Sequence, residues 1–400
     1  MKMLFVFRCL VVGGSVLGIV AGFGSCSGDR SQSVTLAVSL LPSEQEPYRK
    51  LLDQFTDSTG IRVTLIAQQY QQIRNALEAE AIAGRGALDV VELDVQLLGA
   101  VRDHMQRLDT LLEALPDLQA DASAGALAPG LDARGGHLFV PHRLNWQAMV
   151  YDAVELSSPP RTWDDLLKVA RSRPGTIGLK AARYEGMVCD LFPFLWQAGG
   201  DPLRPSAPGT LIALRFLKQL APSLNPAAPS FRENSILQAQ ERREILLHFN
   251  WPFVVPLLRE KQLLGGKIRI APLPAGPAGR ATVLGGGYLG IPHTAPHPEH
   301  AARLVEFLVS NDVQQELARE LGWFPIRESA WSALDEQEAG LEGFVEMRDE
   351  IRTRPPIPAY DQLSALWQDA FSRILFEGEN PDDVAASLVP QIKQLEHRGP

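Results

Sequence analysis

Several polar or aromatic residues stand where apolar stretches of the chain run out: Gln68 and Gln69 after 61–67, Asp94 after 88–93, Asn145 after a stretch ending at Pro141, and Asn250 with Trp251 after 245–249. In open α/β sheets, ligands settle beyond the carboxyl ends of strands, so these are the side chains to collect. Amide, carboxylate and indole together suit a neutral polyol, with donors and acceptors for hydroxyls and a flat apolar face for the carbon side of a sugar ring. Any one of them could equally cap a strand or pack in a core. Only the set carries weight.

Other groups offer different chemistry. Glu185 and Asp190 could act as the acid and nucleophile of a hydrolase, which needs paired carboxylates at a separation that sequence does not fix. Asp164 and Asp165 follow Thr162, and acids in the first turn after a Thr cap complement exposed amides and the helix dipole. Gly285-Gly286-Gly287 has no helix directly after it, which excludes a phosphate loop and favours close backbone approach or a strand bend. His293, His297 and His300 are interleaved with Pro292, Pro296 and Pro298, so they cannot share one helical face as zinc ligands. Cys189, among Val188, Leu191 and Phe192, reads as a small buried hydrophobe. No catalytic residue, metal or cofactor is expected.

The elements that must position these residues follow from spacing. A strand over 34–39, a helix over 46–59 stopped by Gly60, and a strand over 61–67 form one unit. A helix over 71–83, broken by Gly84 and Gly86, leads to the apolar strand 88–93. This alternation predicts an α/β fold with a mostly parallel sheet covered by helices on both faces. A second set begins near Leu144: a strand over 137–140 precedes it, a strand over 148–151 and a helix over 163–171 open it, and a helix over 210–220 lies within a proline-rich stretch. Helices over 299–309 and 382–395 come later.

Composition bounds the rest. The chain has 400 residues, 45% of them apolar, and begins with Lys2, Arg8, an apolar run over 10–21 and the small residues Gly24 and Ser25. That order is an export signal, and the run falls short of the roughly 20 residues a spanning helix needs. Removing 1–26 leaves about 374 residues, enough for two domains. The formal charge of −9 becomes −11 once Lys2 and Arg8 are lost, which argues against nucleic acid. With Cys9 in the leader and Cys26 at its end, Cys189 has no disulfide partner.

Two resemblances sharpen these expectations. Phe23-Gly24-Ser25-Cys26 resembles the bacterial lipobox, with Phe23 where that motif usually has Leu. It implies lipidation of Cys26 and attachment of an exported, periplasmic or cell-surface domain to a membrane, with 27–33 as a tether. Plain signal cleavage is the alternative. The mature chain resembles the extracellular solute-binding proteins of bacterial sugar ABC transporters, particularly the trehalose/maltose-binding branch. The likeness is carried by Leu88-Asp-Val-Val-Glu-Leu-Asp94, Tyr184-Glu-Gly-Met-Val-Cys-Asp190 with Gly199-Gly200, Phe249-Asn-Trp-Pro252 and Ala271-Pro-Leu-Pro274. Leu284-Gly-Gly-Gly-Tyr-Leu-Gly-Ile291, Leu321-Gly-Trp323 and Arg354-Pro355 with Gln362-Leu-Ser364 complete it.

The resemblance implies a periplasmic-binding-protein-like fold of two α/β lobes joined by a hinge, with a ligand cleft between them. Lobe one would take 34–141 with 281–325, and lobe two 142–280 with 326–400. Glu44, Asp94, Asn145, Trp251, the Gly286 backbone and Arg354 would contact sugar, joined by Gln69 and Tyr288. Tyr184 and Glu185 would line or support the second lobe. Asn145 stands where the family usually has Asp, and Gly287 where the branch has a Trp, which implies a lost stacking surface and a different pocket shape. A disaccharide or small glucoside such as sucrose or glucosylglycerol is the implied ligand, delivered to permease subunits served by a cytoplasmic ATPase, with the binding protein itself a monomer. The rival readings are an extracellular glycoside hydrolase using Glu185, Asp190 or Asp94, a receptor for another polyol or a glycerophosphodiester, and a substrate-free surface protein.

Overall fold

The computed structural model describes residues 32–122, 124–334 and 340–396. The leader, Cys26 and most of the tether lie outside the described residues. The opening unit forms where the apolar spacing places it: β1 (Ser33–Val38), the helix Gln45–Thr59 and β2 (Arg62–Ala67), with Tyr48, Leu51, Leu52 and Phe55 buried on one side of the helix. Gly60 ends that helix at φ 73°, a left-handed conformation that costs glycine little. The helix Tyr70–Ala83 leads to β3 (Val90–Asp94).

The next two strands depart from expectation in a way that matters for the site. His137 makes only an isolated bridge to Leu131, and the strand proper is β4 (Val140–Trp146), so Asn145 lies inside a strand and does not follow one. β5 (Ala148–Asp152) begins after Gln147 alone, and belongs to a different sheet.

The first sheet runs β2-β1-β3-β8-β4, where β8 (Thr282–Gly290) returns from far along the chain and β9 (Ile351–Arg352) pairs with it. The second runs β6-β5-β7, with β6 (Leu247–Asn250) and β7 (Ile268–Ala271) flanking β5. The expectation of mostly parallel pairing does not hold. β1 pairs parallel with β2 and β3, but β8 runs antiparallel to both β3 and β4, and the second sheet is antiparallel throughout. Local periodicity reports that a segment is a strand, whereas its direction is set by the element that returns to it.

The chain crosses between the sheets at Gln147 and again at Thr282, and the two crossings are tied together. The Gln147 amide N–H donates to Thr282 Oγ1 at 3.1 Å, and that hydroxyl donates to the Gln147 carbonyl at 2.8 Å. Both residues are buried, so neither bond competes with water. The helix Glu185–Gln197 buries Met187, Val188, Leu191, Phe192 and Leu195 in the core. A fully buried Leu or Phe of this kind contributes about 1.5–3 kcal/mol. Thr162 caps the helix Trp163–Ser172 by accepting from the Asp165 N–H at 3.2 Å, which assigns the neighbouring acids to the helix terminus. No helix among the described residues is long and apolar enough to cross a membrane.

Candidate functional site

A cavity of about 500 Å³ opens at the strand ends between the two sheets. From the first sheet's side come Glu44, Gln69, Asp94, Asn145 and the backbone of Gly286; from the second comes Trp251. Six of the expected residues are therefore brought together. Asn145 reaches the cavity by strand alternation: β4 is irregular between Pro141 and Arg143, after which Arg143 and Asn145 share the cavity face. Gly286 adopts φ 135°, and a Cβ there would collide with the Arg143 carbonyl, so only glycine lets the backbone line the wall.

Trp251 is seated by its neighbours. Its backbone N–H donates to Asn250 Oδ1 at 3.0 Å, while the Asn250 side-chain amide donates to the Glu233 carbonyl at 3.1 Å. Asn250 is fully buried and fixes the backbone from which the indole projects. On the other side, a Cβ added to Gly285 would stand 2.8 Å from the indole ring, so the glycine leaves the space that Trp251 occupies.

Two expected contacts lie elsewhere. Tyr288 is fully buried on the opposite side of β8, where its hydroxyl donates to the Ala126 carbonyl at 2.8 Å. Tyr288 stands opposite Leu93, one residue along from the Asp94–Gly287 pair, so the pleat turns it away from the face that carries Asp94. Arg354 stands behind the wall with 1% of its side chain exposed; Nη2 lies 3.2 Å from Asp94 Oδ1 and Nη1 2.7 Å from Glu185 Oε1. It also donates to the Leu284 carbonyl at 3.2 Å. Burial pushes the Asp94 carboxyl above its ordinary range, and Arg354 opposes that rise. Arg354 thus holds Asp94 in place. The expected loss of a stacking surface at Gly287 also fails, because a side chain there would run into the Glu92 carboxyl and not into the cavity.

Of the three carboxylates proposed for hydrolysis, Asp94 lines the cavity, while Glu185 and Asp190 are committed to structure. Glu185 accepts from the Tyr360 hydroxyl at 2.5 Å and the Ser364 hydroxyl at 2.6 Å besides pairing with Arg354. Asp190 is fully buried, 2.5 Å from Lys180 Nζ, and accepts from Gln147 Nε2 at 3.0 Å. Neither faces the cavity. Cys189 is buried, and desolvation drives its thiol far above the ordinary range. His297 turns to Asp89 and His300 to the Ser33 carbonyl.

Strand-end reasoning missed Tyr70, Arg143 and Trp323, all of which line the cavity. Arg143 is buried, with its guanidinium 4.0 Å from the Trp323 ring centroid and Nη2 3.1 Å from Glu92 Oε2 and 2.9 Å from the Tyr70 hydroxyl. Burial pushes the Glu92 carboxyl up, but Arg143 and His142 outweigh it and hold the group below its ordinary range. His142 Nδ1 lies 2.9 Å from Glu92 Oε1, and its Nε2 lies 3.2 Å from the Tyr48 hydroxyl. Trp323 Nε1 donates to Glu44 Oε1 at 2.8 Å, completing a chain of contacts that fixes this wall before any ligand arrives. Alternation along β4 could have found Arg143 had the strand been placed correctly.

The arrangement offers carboxylate and amide acceptors, amide donors and an indole face from two separate sheets. Residues 50–338 match the family model for bacterial extracellular solute-binding proteins. A probable ABC transporter-binding protein of Deinococcus radiodurans is 24% identical over 96% of this chain and 99% of its own length. Among solved structures, maltose-bound MalE3 of T. maritima superposes with a TM-score of 0.80 at 24% identity, over 91% of this chain and 99% of that one. A solute-binding protein of Agrobacterium radiobacter K84 in complex with ribitol gives a TM-score of 0.76 at 18% identity, over 91% and 99%. The two-lobed fold of such proteins is the fold of this chain.

Proposed function

The chain belongs to the bacterial extracellular solute-binding proteins, and from that membership we propose that it is the receptor of an ABC importer, capturing a small sugar or glucoside between its lobes and delivering it to the permease. In this reading residues 34–146 with 281–325 form one lobe, and 147–280 with the helices Tyr360–Leu375 and Pro381–Glu396 form the other; the expected boundary at 141/142 falls inside β4, which belongs wholly to the first sheet. The exported domain works as a monomer, tethered by lipidated Cys26. The observation that carries the proposal is the cavity itself: Asp94 and Asn145 on one side and Trp251 on the other converge on a single space of about 500 Å³. Contacts from both lobes coexist only when the lobes are shut, so closure follows from the ligand's preference for that state. Asp94 accepts hydroxyl hydrogens, Asn145 donates and accepts, and Trp251 stacks beneath a ring.

Isothermal titration against a panel of disaccharides, glucosides, polyols and glycerophosphodiesters tests the proposal. Heat from a disaccharide or glucoside is expected, and silence across the whole panel overturns it. In the same format, Trp251→Ala should weaken sugar binding by about 1–3 kcal/mol, since the stacked ring would lose a largely desolvated partner. Unchanged affinity removes Trp251 from the site.

A further inference from the structure

Outside the cavity, one ion pair bridges helices that belong to different lobes. Arg74 lies on the helix Tyr70–Ala83, whose Ile73 and Leu77 are buried in one cluster with Val91 and Leu93 of β3. Asp361 lies in the first turn of the helix Tyr360–Leu375, which packs on the second lobe: Trp367 meets Phe192 of the helix Glu185–Gln197 edge-on, with ring centroids 5.8 Å apart. Arg74 Nη1 donates to Asp361 Oδ2 across that divide. Tyr70 stands four residues before Arg74 on the same helix and lines the cavity, so the pair sits one turn out from the wall.

Arg74 is held ready for this contact. Its Nε donates to Glu78 Oε1 on its own helix at 2.8 Å, so separating the lobes would leave the guanidinium with a partner. Asp361, with 53% of its side chain exposed, would return to water. Opening therefore strands neither charge. The helix that carries Asp361 also reaches the ligand side, because Tyr360 and Ser364 donate to Glu185, which pairs with Arg354 and through it with Asp94. The cavity acid of the first lobe and the outer pair are thus anchored on one helix of the second. An ion pair that exists only with the lobes together stabilises that state alone. We infer that Arg74 and Asp361 form a reversible latch, which shifts the balance between open and shut lobes toward shut both before and after a sugar arrives. The latch goes beyond the sugar reading and requires of it only that the two lobes move.

Small-angle scattering of the ligand-free protein, with calorimetric titration of maltose, trehalose and sucrose into the same samples, tests the latch. Arg74→Glu and Asp361→Arg should each enlarge the radius of gyration without sugar, and weaken whichever of the three sugars binds by about three- to tenfold. Combining the two exchanges restores the attraction with the charges reversed, so the scattering profile should return to that of the parent and the affinity to within about twofold of it. A disturbance confined to one helix, such as repulsion from Glu78, would not be restored in this way. Added salt should narrow the gap between the parent and Arg74→Glu. Identical ligand-free profiles for the parent and both single variants overturn the inference, as does a loss of affinity that the combined exchange leaves in place. Silence from all three sugars counts against the sugar reading, and the ligand-free profiles still decide the latch. Should a charge-reversed chain fold poorly, the neutral cycle of Arg74→Gln and Asp361→Asn reads the same coupling.

Discussion

Asp190→Ala should lose about 3–5 kcal/mol of folding stability, because removing one partner of a buried ion pair strands the other. Lys180 and Asp190 are both fully buried, with Nζ and Oδ1 2.5 Å apart. The carboxylate also accepts from the Lys180 N–H at 2.8 Å and the Gln147 amide at 3.0 Å, which links the second lobe's helix to the first crossing strand. Without it, the Lys180 ammonium keeps, among the described residues, the Phe249 carbonyl alone, 2.7 Å away in the strand that presents Trp251. Burial pushes the Asp190 carboxyl above its ordinary range and Lys180 opposes that, so the pair is costly to hold and costlier to break. Urea unfolding measures the loss. Adding Lys180→Met to Asp190→Ala should recover a large part of it, since the stranded charge is gone. An Asp190→Ala protein as stable as its parent would show that the carboxylate is not a structural anchor, and would reopen its candidacy as a nucleophile.

Asp94→Ala is expected to act on the ligand instead. Asp94 lines the cavity while Arg354 holds it from behind, and Arg354 keeps Glu185 when Asp94 is gone. Hydrogen bonds to a charged acceptor contribute about 1.5–3 kcal/mol, so affinity should fall roughly 10- to 150-fold with little change in unfolding midpoint. Calorimetry and thermal unfolding on the same samples separate the two effects. The pH dependence has a definite sign. Because burial raises the Asp94 carboxyl, it takes up a proton at a higher pH than a free aspartate would. Protonation removes acceptor capacity and weakens the pairing with Arg354, so affinity should decline as pH falls, starting above the usual aspartate range. An affinity flat through that range would remove Asp94 as an ionised acceptor.

Much of this site was legible because local rules suffice for it. Gly60 and Gly84 fix where two helices stop, and so place Glu44, Gln69 and Asp94 at neighbouring ends of β1, β2 and β3. Trp251 follows β6 for the same reason. What stayed hidden depends on partners distant in sequence. β8 pairs antiparallel with β3 and β4 from nearly two hundred residues away from the first, and no local pattern announces the direction of a returning strand. The irregular register between Pro141 and Arg143 shifts the alternation by one, which concealed Arg143 and misplaced Asn145. Tyr288 was drawn in by adjacency to a glycine run, although the pleat sends it to the far face, where it bonds Ala126. Trp323 sits within a motif that carried the family likeness, yet only the folded contacts with Glu44 and Arg143 show that it shapes the cavity.

The central claim is that one small sugar is gripped from both sheets at once, and a crystal structure with the tightest glycoside from the titration panel tests it most directly. The account expects one sugar ring bounded by the Asp94 carboxylate and the Asn145 amide on one side and by the Trp251 indole on the other. A glycoside bound elsewhere, or held by residues of a single sheet while the space between Asp94 and Trp251 contains only water, would contradict it.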